Sequence, residues 1–517
     1  MRNKFILPFV FGLIIANITY AQIIPEKGLN QITSDYLKTQ IDYLASDSLK
    51  GRNTPSPELD IAANYIANEL SKFGVKKVNG SYFQTIPLCT KDLNIDGCNF
   101  SISKNNNSLN FTLKKDYTPF EVTSNGNVNA AIVFAGYGIT APEYNYDDYQ
   151  NIDVLGKIVL VMKHEPREMD SCDVFEGKAD SKHASISSKL KNAMDHGASA
   201  IMIVTDPLNH LSITPQGYSW ASLSRFKPRG GLPIEINKQE ESIPCIQVGE
   251  NVITTLFGSV DSLKNIQKQI DFTLTPNSFA FQNTSGNVKT ELNITQYAAK
   301  NVVGIIKGTD TKLKDEIIVI GAHYDHVGYK EYHKPNEDYI FNGADDNASG
   351  TAGVMNLAKA FSKIKKSKRS ILFILFAGEE KGLYGSYYYT EHPLLPLNNT
   401  VAMLNMDMIS RNGDSLQIPG NKFNPELTTI IKEENEHIGL NITEAGNEYF
   451  GASDHINFFK NDISSVFFFS GTHKDYHTVR DNPDTVDFIK AEKVAKLVFR
   501  TAWRIANENK HYSINKN

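Results

Sequence analysis

Residues 316–326 read EIIVIGAHYDH, an apolar run that ends in His323, Asp325 and His326. A run of this kind, rich in isoleucine and without internal charges, is typical of a strand that is buried on both sides. Comparable runs recur along this part of the chain, and stretches with helical spacing separate them. Strands are predicted at 301–308, 316–326, 370–380, 401–408 and 463–471, and helices at roughly 349–366, 424–438 and 487–508. The alternation predicts an α/β fold in which helices flank a mostly parallel central sheet.

A second series of short apolar runs indicates a further domain. Residues 128–277 contain GKIVLVM at 156–162 and ASAIMIVTD at 198–206, which are typical of short buried strands. The chain of 517 residues is long enough for more than one domain. We therefore predict a smaller α/β domain at 128–277, inserted between residues 22–127 and residues 278–517, which together form the larger domain.

The chain begins with MRNKFILPFVFGLIIANITYAQ. Arg2 and Lys4 form a positive start, an apolar stretch follows, and small residues stand at Thr19 and Ala21, so the pattern predicts a signal peptide over residues 1–21. We expect an exported protein, periplasmic or secreted. An uncleaved anchor is the alternative, but the stretch is shorter than the ~20 apolar residues of a membrane span. No later segment is apolar enough to predict a span after signal cleavage.

Composition and cysteine usage narrow the class of protein. Hydrophobic residues make up 41% and charged residues 21%, and the formal net charge of −5 with no long basic run gives no support for nucleic-acid binding. The four cysteines have no Cys-x-x-Cys spacing, which argues against a cysteine-bound zinc site. Cys89 with Cys98, and Cys172 with Cys245, are reasonable disulfide pairs in an oxidising compartment, and free buried thiols are the alternative.

Polar side chains follow the predicted strands at the point where each strand ends. In an open α/β sheet, ligands bind beyond the carboxyl ends of the strands, so these side chains are candidates for a common site. The candidates are His323 and Asp325, the pair Asp345 and Asp346 in NGADDNASGT (342–351), the pair Glu379 and Glu380, Asp407, and His477. An aspartate two residues from His323 can accept its second ring N–H, and we expect Asp325 to orient His323 in this way.

Five of these residues predict a metal site: His323, Asp345, Glu380, Asp407 and His477. Imidazoles and carboxylates suit zinc, although another divalent metal is possible. Five ligands exceed the need of one tetrahedral zinc. They match two ions ~3.5–4 Å apart that share one carboxylate. We predict two Zn²⁺ ions with Asp345 as the shared ligand, so that its charge is neutralised.

The motifs resemble those of the M28 zinc peptidases, which are co-catalytic metallo-aminopeptidases and their relatives. AHYDHVG, NGADDNASGT, FAGEEKGLYGS, NMDMI, SDH and YHTVRD stand in the order found in that family. The resemblance implies that one zinc is bound by His323 and Asp407, the other by Glu380 and His477, and both by Asp345. It also implies that Glu379 is the general base, that the Asp345–Asp346 peptide is cis, and that residues 128–277 are a protease-associated domain.

The resemblance implies an exported dinuclear zinc aminopeptidase that hydrolyses N-terminal residues from peptides. A carboxypeptidase of the glutamate carboxypeptidase kind is the main alternative, and Arg411 is a candidate to hold its substrate carboxylate. A glutaminyl cyclase or an inactive receptor-like binding protein is a further alternative. Some family members place an oxyanion-stabilising tyrosine where this chain has Phe450, so Tyr449 and Tyr476 remain candidates for that donor.

Overall fold

The computed structural model describes residues 24–170, 175–224, 231–238, 241–364, 366–443 and 447–516. The chain divides into two compact units: unit 1 comprises Met1–Pro87 and Tyr297–Asn517, and unit 2 comprises Leu88–Gln296. The predicted signal peptide, residues 1–21, lies outside the described residues. Among the described helices, none is both long enough and apolar enough to cross a bilayer.

The helices and strands alternate along most of the chain. The helices are α1 (Glu26–Leu29), α2 (Ser34–Leu44), α3 (Pro57–Phe73), α4 (Ile186–Asp195), α5 (Glu250–Phe257), α6 (Val260–Thr273), α7 (Gly350–Ser362), α8 (Tyr384–Glu391), α9 (Pro425–Asn435), α10 (His455–Lys460) and α11 (Phe488–Asn507). The strands are β1 (Phe83–Leu93), β2 (Asn99–Lys104), β3 (Asn107–Phe111), β4 (Tyr117–Pro119), β5 (Gly126–Ala135), β6 (Thr140–Ala141), β7 (Tyr146–Asp147), β8 (Ile158–Met162), β9 (Ala200–Val204), β10 (Ile234–Ile236), β11 (Cys245–Val248), β12 (Ser278–Thr290), β13 (Leu292–Ile306), β14 (Ile317–His323), β15 (Ser370–Phe376), β16 (Thr400–Asp407), β17 (Ser415–Gln417), β18 (Asn441–Thr443) and β19 (Ser465–Phe469).

The sheet of unit 1 has the strand order β1-β13-β15-β14-β16-β19-β17-β18. Its centre, β15-β14-β16-β19, is parallel, whereas β13 runs antiparallel to β15. Every residue of the four central strands is buried, as the uniformly apolar runs predict. The predicted α/β fold with a largely parallel centre is confirmed for this unit.

Helices cover the central strands of unit 1. Helices α7 and α11 contact β14, and α10 contacts β16 and β19. One apolar cluster joins Val319 of β14 and Leu372 of β15 with Tyr389 of α8 and Phe458 of α10. Burial of such aromatic and aliphatic side chains is the main source of stability for this layer. The carboxyl ends of the four parallel strands therefore meet at one edge of a well-packed sheet.

The sheet of unit 2 has the order β3-β2-β12-β5-β8-β9-β11-β4, with β5, β8, β9 and β11 mutually parallel. The predicted bounds of 128 and 277 lie inside this unit and are too narrow. Strand β12 pairs with both β2 and β5, so chain on either side of those bounds belongs to the same sheet. The outer strand β3 is largely exposed, and its polar sequence does not give the apolar signal of a buried strand.

The cysteines in the described residues are free thiols. These are Cys89, Cys98 and Cys245. For Cys89 and Cys98 the alternative of free thiols holds and the disulfide does not form, and Cys89 Sγ lies 3.6 Å from Glu235 Oε1. Cys172 lies outside the described residues, so the predicted pair with Cys245 is not described. Burial raises the pKa of the Cys245 thiol, as expected for an unreactive core cysteine.

Candidate metal centre

The carboxyl ends of the parallel strands carry the predicted site residues. His323 is the last residue of β14, and Asp407 is the last residue of β16, the neighbouring strand. Glu379 and Glu380 lie in a short 3-10 turn after β15, and Gly378, at φ 77°, makes the sharp change of direction before it. Parallel pairing thus brings side chains from distant parts of the sequence to one edge of the sheet.

A first group of ligand atoms surrounds His323. Its Nε2 lies 3.3 Å from Oδ1 of Asp407 and 3.4 Å from Oδ1 of Asp346. All three side chains are buried, and these three atoms are close enough together to bind one metal ion. One imidazole and two carboxylates form a donor set that suits zinc.

A second group lies on the other side of Asp346. His477 Nε2 is 3.1 Å from Oδ2 of Asp346 and 3.1 Å from Oε2 of Glu380. His326 Nδ1 is 2.8 Å from Oε1 of Glu380 and 3.7 Å from Oδ2 of Asp346. Four potential ligands therefore converge here, and Asp346 is common to both groups, with one carboxylate oxygen facing each.

The prediction that Asp345 is the shared residue is wrong. Its carboxylate belongs to neither group. Oδ1 of Asp345 accepts hydrogen bonds from the backbone N (2.8 Å) and the Oγ (2.6 Å) of Ser410, and from Oγ of Ser349 (3.1 Å). Asp345 thereby joins the segment before α7 to the segment after β16. The cis peptide also lies one bond later than predicted, between Asp346 and Asn347.

The buried carboxylate of Asp481 holds the backbone on which both aspartates stand. Its two oxygens accept hydrogen bonds from the backbone N of Asp345, and Oδ2 also accepts one from the backbone N of Asp346 at 3.0 Å. These contacts orient the carboxylates of Asp345 and Asp346 toward different partners. This orientation could not be read from the sequence, because the residues stand in a short π-helical segment, Ala344–Ser349, whose backbone departs from helical dihedral angles at Asp346.

Asp325 lies beside the ring of His323, as predicted. Its Oδ1 is 3.6 Å from His323 Nδ1, and its backbone oxygen is 3.2 Å from the same atom. Oδ1 also accepts the backbone N–H of Glu379 at 3.2 Å, and Oδ2 accepts the hydroxyl of Thr54 at 2.9 Å. Asp325 therefore contacts both the histidine at the end of β14 and the turn after β15.

The histidines of the centre stand in a strongly negative environment. Burial by itself lowers the pKa of His323, but Asp407 and the neighbouring carboxylates outweigh it and raise that pKa well above the usual value. Burial likewise opposes the charge on His477, yet Asp346 and Glu380 raise its pKa to about 10. A surplus of buried carboxylates needs positive charge nearby, which protons or bound cations supply.

Glu379 differs from its neighbour Glu380. Burial raises the pKa of Glu379 well above its usual range, and the nearby carboxylates add to this effect against the opposing charge of His323. Its Oε2 lies 4.0 Å from His323 Nε2, outside both ligand groups. The structure therefore separates the two glutamates, with Glu380 among the ligand atoms and Glu379 beside them.

Residues 301–502 match the model of peptidase family M28. The chain carries an M28 peptidase domain. The matched range contains every residue of the two ligand groups and Glu379, so the family predicted from the motifs is confirmed. The centre described above is the candidate active site of this M28 domain.

Two proteins and one solved structure illustrate the similarity. The chain is 24% identical over 391 residues to Aminopeptidase YwaD of Bacillus subtilis (strain 168), covering 72% of this chain and 68% of that protein. It is 35% identical over 138 residues to a probable glutamate carboxypeptidase of Arthroderma benhamiae, covering 26% of this chain and 16% of that protein. An aminopeptidase structure from Aneurinibacillus sp. strain AM-1 is 20% identical with a TM-score of 0.47, covering 95% of this chain and 98% of that one.

Two features of the M28 centre escaped the sequence reasoning. The shared position was assigned to Asp345 instead of Asp346, and His326 was not assigned to the ligand atoms. A period-two argument places His323 and Asp325 on one face, but it cannot be extended to His326 because the strand ends at His323. Asp407 is also held from outside the predicted set, because Oγ of Ser453 donates to its Oδ2 at 2.8 Å.

The candidate oxyanion donors occupy different surroundings. Tyr476 stacks on the His477 ring, with centroids 3.9 Å apart, and burial together with the carboxylates of the centre raises the pKa of its hydroxyl. Tyr449 instead packs against Phe469, with centroids 5.4 Å apart. Phe450 is buried. Of the two tyrosines, Tyr476 is the one in ring contact with a ligand-group residue.

Proposed function

We propose that this chain is a dinuclear zinc aminopeptidase of family M28. The observation that carries the proposal is the division of the Asp346 carboxylate, whose Oδ1 faces His323 and whose Oδ2 faces His477. In this assignment His323 and Asp407 hold one ion, Glu380 and His477 hold the other, and Asp346 takes the shared position first predicted for Asp345. The similarity to Aminopeptidase YwaD, which covers 72% of this chain, supports the proposed aminopeptidase activity.

The donor set fits zinc on its own chemistry. Oδ1 of Asp407 and Nε2 of His477 are buried, and although other ligand atoms lie 3.1–3.3 Å away, neither makes a hydrogen bond of good geometry. Such atoms are costly to bury unless a partner satisfies them. When bound, zinc supplies Lewis acidity that polarises a carbonyl and lowers the pKa of water. We assign His326, through its 2.8 Å contact, to holding Glu380 in place.

Glu379 is the general base of the proposed reaction. Its buried carboxylate lies next to both ligand groups and is not needed by either. It accepts a proton from the attacking water and delivers it to the leaving amine as the peptide bond breaks. Asp325 accepts a hydrogen bond from the backbone N–H of Glu379 and contacts the ring of His323. It therefore positions both the general base, Glu379, and the metal ligand His323.

Tyr476 is the proposed donor to the developing oxyanion. Its raised hydroxyl pKa keeps the proton on the oxygen at neutral pH, so the group can donate. Its stacking on His477 limits the positions that the ring can adopt.

The carboxypeptidase alternative requires a cation that holds a substrate carboxylate. Arg411, the candidate for that role, already donates from Nη2 to Oδ2 of Asp475 at 2.9 Å. Arg480 donates to the other oxygen of Asp475 at 2.8 Å, so this carboxylate holds both arginines. Asp475 offsets part of the charge that would hold a free C-terminus, but Nη1 of Arg411 is buried without a hydrogen-bond partner. A test of substrate termini therefore has to separate the two activities.

A substrate screen tests the proposal. Dipeptides with both termini free, with a blocked N-terminus and with a blocked C-terminus are incubated with the zinc-loaded chain, with and without a chelator. We expect hydrolysis that requires a free amine and stops with chelator. Hydrolysis that requires a free carboxylate would select the carboxypeptidase, and no dependence on metal would overturn the proposal.

We further propose that the chain is exported and cleaved after Ala21. Support comes from the charged start, the apolar stretch and the small residues of the first 21 positions. N-terminal sequencing of the protein from the periplasm or the medium tests this, and an intact Met1 in a cytosolic fraction would contradict it.

Unit 2 is proposed to be a protease-associated domain. Its parallel strands β5, β8, β9 and β11, together with GKIVLV at 156–161, support this assignment. A crystal structure in which these four strands are not neighbours would contradict it.

A further inference from the structure

A second set of potential metal ligands lies within unit 2, among residues that the M28 centre does not use. It comprises His164, Glu168, Asp206 and His210, here called the His164 cluster. His164 and Glu168 follow β8, and Asp206 and His210 follow β9, the parallel neighbour of β8. The carboxyl ends of the two strands therefore bring two histidine–carboxylate pairs together.

The ligand atoms of the His164 cluster converge closely. Nδ1 of His164 lies 2.5 Å from Oδ1 of Asp206 and 3.4 Å from Oε2 of Glu168. Nε2 of His210 lies 2.8 Å from Oε1 of Glu168 and 3.6 Å from Oδ2 of Asp206. Each imidazole thus contacts both carboxylates, and one atom from each side chain is within reach of a common point.

The two rings are also stacked, with centroids 4.2 Å apart and an angle of 21° between their planes. Two positively charged rings this close would repel each other. Neutral rings can hydrogen-bond to the carboxylates but bring no positive charge to them. A divalent cation resolves both difficulties, because it binds neutral imidazoles and cancels the two negative charges.

Neighbouring groups add to the negative charge. Asp271 is a third carboxylate near Asp206 and Glu168, and its Oδ1 accepts the Tyr137 hydroxyl at 2.8 Å. The buried Lys189 donates to the backbone oxygen of Tyr137, and its charge offsets part of that of Asp206.

Supporting contacts fix the ligands in position. Asp206 is fully buried, and its Oδ2 accepts a hydrogen bond from Nε2 of Gln267 at 3.3 Å. The oxygen of the same Gln267 amide accepts a hydrogen bond from the backbone N–H of Leu208 at 2.7 Å. Leu208 lies between Asp206 and His210 in the sequence. Held carboxylates of this kind are typical of built metal sites. The His210 side chain is 37% exposed, which leaves a route for an ion from solvent.

We propose that His164, Glu168, Asp206 and His210 bind one divalent transition-metal ion, with zinc the best match to two imidazoles and two carboxylates. The ion joins the segments that follow β8 and β9 and so has a structural role in unit 2. The proposal does not depend on peptidase activity, and its test measures metal binding and not hydrolysis.

The test uses the full chain with Asp346→Asn, which removes the shared ligand of the M28 centre. The protein is loaded with zinc and desalted, and bound zinc per chain is measured by elemental analysis, with affinity from competition with a chromogenic chelator. We expect this variant to retain one zinc. Adding His210→Ala is expected to remove that zinc or weaken its binding about 100-fold or more, since a direct ligand is lost.

His183→Ala in the same background is the matched control. His183 is also in unit 2 and its Nε2 lies 2.9 Å from Glu143 Oε1, but it is not part of the His164 cluster. Zinc binding should be unchanged in this control. Circular dichroism verifies folding, and Glu168→Gln provides a second variant that keeps the shape of the side chain. Equal zinc content and affinity in the Asp346→Asn chain with and without His210→Ala or Glu168→Gln would overturn the proposal.

Discussion

Asp345 and Asp346 are adjacent in sequence, but their carboxylates have different tasks in the structure. Oδ2 of Asp346 lies 3.1 Å from His477 Nε2, in the second ligand group. Oδ1 of Asp345 accepts two hydrogen bonds from Ser410 and one from Ser349. One aspartate therefore serves the candidate metal centre, and the other holds together the segments that surround it.

This division predicts different results for the same substitution at the two positions. Asp346→Asn removes the shared charged ligand, so we expect loss of the zinc held at the M28 centre and a fall in kcat of at least about 100-fold. Asp345→Asn keeps an oxygen that can accept from Ser410, so we expect retained zinc and a loss of stability of about 1–3 kcal/mol. Elemental analysis and thermal unfolding of both variants measure these effects. Equal zinc loss in the two variants would contradict the assignment of Asp346.

The two neighbouring glutamates give a second matched pair. We expect Glu379→Gln to retain its zinc and its fold while kcat falls by about 10²- to 10⁴-fold, because only the proton transfer is removed. Glu380→Gln removes a ligand instead and should lower the zinc content. Steady-state kinetics and metal analysis on the two purified variants distinguish the roles. Near-normal turnover by Glu379→Gln would show that another group is the base.

Substitutions of Tyr476 and Tyr449 test which of these tyrosines is the oxyanion donor. Tyr476→Phe keeps the ring that stacks on His477 but removes the hydroxyl, so we expect a decrease in kcat of about 10²-fold with KM and zinc content nearly unchanged. Tyr449→Phe should have little effect, because the Tyr449 ring packs on Phe469. If the Tyr449 variant were the impaired one, the donor would have to be reassigned.

The central strands of unit 1 could be predicted because their sequences are predominantly apolar. The positions at which the strands end were predicted less accurately. The run 316–326 forms a strand only over Ile317–His323, and the polar residues beyond it belong to a loop. The choice between Asp345 and Asp346 depends on backbone hydrogen bonds to Asp481, which no spacing rule encodes. The order of the motifs was therefore enough to predict the family. To identify which aspartate is the shared ligand, the three-dimensional positions of the side chains were needed.

The extent of unit 2 was underestimated for a related reason. Strand β3 is exposed along most of its length, and β2 alternates buried and exposed positions, so neither gives a continuous apolar run. They belong to the sheet because β2 pairs with β12, which is distant in sequence, and β3 pairs with β2. The His164 cluster was missed because its histidines are separated by more than forty positions and become neighbours only through the pairing of β8 with β9.

Arg52 is expected to contribute both to the stability of the fold and to the metal affinity of the centre. It is buried, and its guanidinium donates to the backbone oxygens of Leu44, Asn342 (2.7 Å), Gly343 (3.0 Å) and Tyr324 (2.8 Å). Burial lowers its pKa to about 10 while nearby carboxylates, including Asp325 and Asp346, oppose this, so the side chain is charged at neutral pH.

One planar group thus holds the segment after β14 and the segment before Asp345 and Asp346. A lysine cannot reproduce four donors in these directions, so we expect Arg52→Lys to lower the free energy of unfolding by about 3 kcal/mol and to weaken zinc binding. Arg480→Lys is the control, because that side chain is 61% exposed and its ion pair with Asp475 should contribute less than about 1 kcal/mol. Denaturant unfolding and zinc titration compare the two. If Arg52→Lys were no less stable than Arg480→Lys, the guanidinium could not be what fixes these segments.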